Sequence, residues 1–271
     1  MGAPLWNQSL SGTGVAAKVA AEYADTVDCE GRFPSEALDA VRSAKLLSVS
    51  LPRELGGGGA SVSELAATCR MLGRACSSTA MIFAMHHSQA LCLRFHSSSD
   101  PGTQSLIEDI VTGEKLIASA TTEITTGGAV GSSTCAVVRD GDQVSLEKNA
   151  PVISYGKYAD YIFATARKNS DSPSTDQVML ACPAEDTELE PTSEWHTLGL
   201  RGTCSPGFVL RARTSVTNLL PVDYATISSH TMLPACHVLW ASVWLGIADA
   251  AMEKARAQVR KTARRTPIPF S

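Results

Sequence analysis

The sequence predicts an α+β protein made of an N-terminal helical bundle, an antiparallel β-sandwich or barrel as middle domain, and the start of a C-terminal helical bundle. The spacing of apolar residues carries most of that prediction. It is three and four up to about residue 116, two from there to about 225, and helical again from about 230. Helices, then strands, then helices is a segregated order, unlike the alternation that builds a parallel sheet. Bulk properties agree, since 271 residues with 44% hydrophobic and 18% charged content can bury a sizeable core. The expected domains are 1–116, 117–225 and an incomplete 226–271, with no internal repeat or low-complexity tract.

The first helical stretch reads GVAAKVAAEYADTV, and the second SEALDAVRSAKLL, with Ser35 expected as N-cap behind Pro34. A third, SVSELAATCRMLGRACSSTAMIFAMHHSQALCLRF, keeps the helical period throughout. The GGGG at 56–59 is not followed by Lys-Ser/Thr and does not sit between a strand and a helix. It reads as a flexible connection between helices rather than a phosphate-binding loop. Strands are expected in LIASATT, TCAVVRDGDQVSLEK, DYIFATARK, QVMLACP and GFVLRARTSVTNL, with turns at Asp140-Gly141-Asp142 and across residues 169–173. A last long helix with one strongly apolar face cannot bury that face alone. It must pack on the first domain or a partner subunit, or belong to a larger helical domain that the chain truncates.

Several function classes are disfavoured. A net charge of -4 gives no electrostatic footprint for nucleic acid. The eight cysteines are scattered without a C-x-x-C pair, which fits reduced thiols in a cytoplasmic protein and no metal site. The N-terminal MGAPLWNQSLSGTGVAAK lacks a basic stretch ahead of an apolar run, so neither export nor a lipid anchor is expected. Residues 232–248 are uncharged but short for a membrane span and contain Pro234 and His237, which favours a core or interface helix and no membrane. His86-His87 reads as one packed and one surface histidine, and Ser88, Ser132 and Ser205 lack a nucleophile-elbow setting. Trp195, Trp240 and Trp244 are equally compatible with core and site. The Gly127-Gly128-Ala129-Val130-Gly131 run lacks the context of a dinucleotide fold.

What remains is the threonine- and glycine-rich ASATTEITTGGAVGSS of residues 118–133, open enough for a cofactor cradle or a mobile loop. With LPRELGGGGAS, the DGDQVSLEK hairpin leading to YADYIFATAR, WHTLGLRGTCSPGFVL and LGIADAAMEKA, it forms an ordered series that resembles the acyl-CoA dehydrogenase family over residues 14–262. The resemblance implies a flavoprotein oxidoreductase. It would bind FAD, dehydrogenate an acyl-CoA substrate between its α and β carbons, pass electrons to an electron-transfer flavoprotein, and form a homodimer or homotetramer. By position it makes Ser119, Thr121, Thr122, Gly127 and Gly128 flavin contacts, and aligns Val152 and Ser154 with the tryptophan and threonine of the family's second flavin-facing hairpin. Backbone N–H groups exposed by glycine suit a phosphate or an anionic flavin.

The departures from the family are specific. Ile124 replaces a proline, Gly128 a serine for which Ser132 or Ser133 could substitute, and Val152 an aromatic face. Cys236 stands where some members carry their catalytic glutamate, so no base is assigned. The arginine that reaches a neighbouring subunit's cofactor has only Arg264 or Arg265 as counterpart. Two alternatives follow: a flavin-dependent monooxygenase of the same fold, for which FMN would serve, and an inactive partner-binding fragment.

Overall fold

A computed structural model describes residues 5–97 and 100–265. Five helices come first, α1 (Leu5–Glu30), α2 (Ser35–Ser43), α3 (Val62–Ala75), α4 (Ser77–His96) and α5 (Pro101–Gly113). α4 is the axis of this layer, buried on nearly every side between residues 78 and 93, and a helix apolar all round has to be central. α3 opens with a capping box in which Ser61 and Glu64 satisfy each other's backbone N–H groups, and α5 opens on Asp100 with Pro101 behind it.

The sequence blurred three details of this layer. Ser35 is the first helical residue rather than the N-cap, a place Pro34 takes without a side-chain bond. α2 stops at Ser43 because Lys45 turns left-handed, with φ 57°. Cys76 alone separates α3 from α4, its extended backbone (φ -148°, ψ 117°) breaking a pattern whose period never faltered. The four glycines are not a loose connection. Gly57 N–H bonds to Pro52 O (2.8 Å), Gly59 N–H to Leu51 O (2.9 Å) and Ala60 N–H to Val49 O (2.8 Å). A Cβ on Gly57 would lie 2.4 Å from Leu51 O, so glycine is there for close approach.

The middle layer holds β1 (Ile117–Ala120), β2 (Val138–Asp140), β3 (Gln143–Ala150), β4 (Tyr161–Arg167), β5 (Gln177–Pro183), β6 (Thr187–Pro191) and β7 (Phe208–Ser215). They form two sheets, β1-β4-β5 and β2-β3-β7-β6. All pairs are antiparallel except β1 with β4, which run parallel in the register Ile117↔Tyr161. That pair makes one sheet mixed, because the chain leaves β1 and returns to β4 only after the β2–β3 hairpin, a crossover long enough for parallel pairing. β6, an exposed edge strand reading TELEP, carries no apolar alternation and was invisible to pattern reading.

After β7 come α6 (Tyr224–Ile227), a π-helical turn (Ser228–Met232) and α7 (Leu233–Arg265). The α6–α7 run is, by length and composition alone, apolar enough to cross a membrane, yet only about a third of its most apolar window, 33%, is buried here. Leu239 and Val243 are fully buried, whereas Val238, Trp244, Leu245 and Ile247 are exposed. The buried face lies on α3 through two glycines: a Cβ on Gly73 would be 2.6 Å from Val243 O, and one on Gly246 2.2 Å from Arg70 O. Arg70 and Arg74 pair with Asp249 and Glu253 at the rim of this contact.

Candidate functional site

Where the helical and sheet layers meet, α4, the loop after β1, the segment after β3 and the start of α7 enclose a cleft of about 880 Å³. Ser119, Thr121, Thr122, Gly127, Gly128, Val152 and Ser154 all line it, so the seven residues singled out in two separate stretches converge on one wall. The opposite wall comes from helices. Met85, Ser88 and Gln89 occupy one face of α4, and Leu233, Cys236, His237, Trp240, Ala241 and Trp244 follow the i, i+3, i+4, i+7 stripe of α7.

The β-domain wall is held from behind by a buried ion pair. Glu123 is 3% exposed and Lys148 is 0% exposed, with Nζ 2.8 Å from Oε1. Lys148 also donates to Thr165 O (2.7 Å), and the Ser133 hydroxyl donates to the same carboxylate oxygen. The other oxygen accepts from Thr134 N–H (2.8 Å), the Thr134 hydroxyl and Cys135 N–H (3.3 Å). Burial pushes the Glu123 pKa up, but the Lys148 ammonium and the Ser133 and Thr134 hydroxyls outweigh it and bring it down to about 2. The glycine-rich run is therefore pinned at both ends of its turn. Ser133 spends its hydroxyl on this anchor, and neither it nor Ser132 lines the cleft, so neither replaces the serine lost at Gly128.

Two further ties set the floor. The Ser154 and Ser205 hydroxyls share a hydrogen bond (2.9 Å), which ties the Ser154 segment to the 203–205 turn. Tyr155, left-handed with φ 44°, is fully buried; its hydroxyl donates to Ile117 O (2.9 Å) and its N–H to Thr203 O (2.8 Å). The Ser154 segment and β1 are thereby bonded directly.

The histidine pair is a correction, because both rings are completely buried. Carbonyls accept only, so each Nε2 carries the proton: His86 donates to Leu47 O (2.7 Å) and His87 to Leu46 O (2.9 Å). The Nδ1 atoms then accept, from Ile117 N–H (3.0 Å) in His86 and from the Ser50 hydroxyl (2.9 Å) in His87. Burial lowers His86 to about 4, and burial with the neighbouring His86 holds His87 well below its ordinary value. These rings are structural latches: His86 fixes β1, and with it Ser119, against α4, and both hold the 46–50 segment on the same helix.

Sequence reading missed the helical wall, naming Trp240 and Trp244 without choosing between core and site and His237 only as an argument against a membrane. The usable signal was the α7 stripe itself. Trp195 lies outside the cleft. Burial pushes the Cys236 thiol up, and the side chains of Arg264 and Arg265 fall outside the described residues. The described residues that line the cleft include no Asp, Glu, Lys or Arg.

Known proteins agree with this architecture. The family described as acyl-CoA dehydrogenase, N-terminal domain, matches residues 13–114. A probable acyl-CoA dehydrogenase of Bacillus subtilis is 25% identical over 91% of the chain and 66% of its own length. A probable FMNH2-dependent monooxygenase of Pseudomonas putida is 26% identical over 97% of the chain and 66% of its own length, so the chain spans just under two thirds of both relatives. The structure of butyryl-CoA dehydrogenase from Megasphaera elsdenii superposes with a TM-score of 0.81 at 17% identity, covering 97% of this chain and 70% of that one. The match over residues 13–114 together with the shared fold supports an acyl-CoA dehydrogenase-like family for this chain.

Proposed function

We propose that the cleft binds a flavin and that the protein is a flavin-dependent oxidoreductase acting on an uncharged, largely apolar substrate group. The observation that carries this reading is the convergence of Ser119, Thr121, Thr122, Gly127, Gly128, Val152 and Ser154 on one wall of an 880 Å³ cleft. A planar heteroaromatic ring with a polar edge fits such a wall, hydroxyl-bearing and glycine-opened on one side and faced by methionine, leucine and tryptophan on the other. Bound there, a flavin supplies two-electron acceptance. Ser119, Thr121, Thr122 and Ser154 would hold its polar groups, while the Glu123–Lys148 anchor supports the loop from behind. Trp240 and Trp244 place aromatic surface in the cleft that Val152 lacks, beside the apolar Met232 and Leu233.

The first reading of the reaction is α,β-dehydrogenation of an acyl-CoA thioester, supported by the match of the N-terminal domain. In that reading an electron-transfer flavoprotein takes the electrons, and further copies of the chain assemble around the helical layer. The second is oxygen insertion with reduced FMN. It is favoured by the departures at Gly128 and Val152 and by the Pseudomonas relative, whose printed name assigns it FMNH2-dependent monooxygenation. Purified protein titrated with FAD or FMN is expected to develop a bound-flavin visible spectrum, and to lose it when Glu123 is replaced by Gln. A chain that binds neither flavin refutes both enzyme readings. With flavin bound, anaerobic bleaching by butyryl-CoA selects dehydrogenation, and no bleaching selects the oxygen-dependent reaction.

A further inference from the structure

Two polar atoms of the helical wall have no hydrogen-bond partner among the described residues. Gln89, on the cleft side of α4, is 3% exposed, and its buried Oε1 accepts from no group. Trp240, on the cleft stripe of α7, has a buried Nε1–H that donates to none. The other buried side-chain atoms in this state belong to Thr79, Thr126, Arg167, Gln177 and Trp195, and none of those residues lines the cleft. Folded proteins keep nearly all such atoms bonded, because a polar atom taken out of water without a new partner carries a standing penalty. One acceptor and one donor, on two helices of the same cleft, are groups that a ligand would complete.

Neighbouring hydroxyls are already engaged elsewhere. Ser88 donates to Ala84 O (2.9 Å) within α4, and Ser154 is bonded to Ser205 (2.9 Å). The helical wall around the pair is otherwise apolar, with Met85, Leu233 and Trp244, and no Asp, Glu, Lys or Arg lines the cleft. A charged guest would enter without a counter-ion, so the guest is uncharged. Gln89 Oε1 calls for an N–H and Trp240 Nε1–H for a carbonyl oxygen, and the indole rings offer flat apolar surface beside them. A saturated acyl chain laid between these helices supplies neither group and leaves both atoms stranded.

We propose that α4 and α7 hold an uncharged planar substrate by a lactam-type edge, Gln89 Oε1 accepting from its N–H and Trp240 Nε1–H donating to its carbonyl. As the substrate class of an enzyme this rests on the flavoenzyme reading above, with the flavin on the opposite, hydroxyl-bearing wall. As a binding site it rests on the two atoms alone.

The test is isothermal titration calorimetry of the full chain, without flavin and with FMN added, against oxindole, N-methyloxindole, which lacks the N–H, and indole, which lacks the carbonyl. Wild type should bind oxindole at least about tenfold more tightly than either analogue, since a site built to hydrogen-bond a group rejects the molecule without it. Gln89→Leu should erase the preference over N-methyloxindole and keep that over indole, and Trp240→Phe should do the reverse. Gln89→Leu should also melt no lower than wild type, because replacing an unbonded buried amide strands no partner. Oxindole bound no better than its analogues, preferences unchanged in the variants, or a lower melting temperature for Gln89→Leu overturns the proposal. Displacement of oxindole by FMN overturns its place opposite the flavin, and pantetheine bound more tightly than oxindole, through the same two residues, overturns the planar lactam in favour of an open-chain amide. Oxindole preference in a chain that takes up no flavin keeps the site and refutes the flavoenzyme reading, whereas flavin uptake without that preference refutes the site alone.

Discussion

At the scale of single residues, the cleft depends on groups that never touch it. Lys148 is fully buried and serves only Glu123 and Thr165, yet it is the counter-ion that lets a carboxylate sit under the glycine-rich loop. Removing one partner of such a pair strands the other charge, at a cost of about 3–5 kcal/mol, whereas the intact pair adds little net stability. Lys148→Met should therefore lower the urea midpoint strongly and weaken flavin uptake, and a variant as stable as wild type would show that the ion pair does not anchor the loop. The seven wall residues were legible because their order along the chain resembles a known series. The anchor was not, since nothing in TTEITTGG or SLEKN shows that Glu123 and Lys148, 25 positions apart, meet. The burial of both histidines was equally illegible, because their bonds go to carbonyls and amides of distant segments.

At the scale of elements, the contact of α7 with α3 decides where the helical wall of the cleft stands. Gly246→Ala should raise helix propensity by about 1 kcal/mol, but its Cβ would lie 2.2 Å from Arg70 O, and overpacking costs about 1–3 kcal/mol. The second effect wins. Thermal unfolding should fall by roughly 2–4 °C per kcal/mol lost, and a rise in Tm would show that α7 can ride off α3 without penalty. Long periodic stretches announced their elements reliably. Boundaries set by one backbone conformation, such as Cys76 and Lys45, did not, since a single extended or left-handed residue leaves the apolar period intact. β6 stayed hidden for the opposite reason, as it offers a single apolar side chain, the half-buried Leu189, and joins β7 through its main chain and through Glu188 and Glu190 paired with Arg211.

At the scale of the whole molecule, groups in both layers make stability depend on acid. His86 and His87 are neutral when folded, with pKa values below those of the unfolded chain, so the unfolded state binds more protons once pH drops below about 6.5. The His86 contribution is complete above that pH and is lost toward about 4, at a slope near 1.4 kcal/mol per pH unit, and the His87 contribution is lost in the same direction. Glu123 is ionised when folded, and its contribution follows lower down, disappearing as pH falls from about 4.5 toward about 2. Denaturant titrations at successive pH values should show both stages, and a flat profile from pH 7 to 5 would contradict the burial of the histidines. One bond described above bears on a different matter, the traffic of ligands. Because Tyr155 ties the Ser154 segment to β1, these two parts of the sheet-side wall are braced against each other, and ligand traffic would depend on the α7 side of the cleft instead.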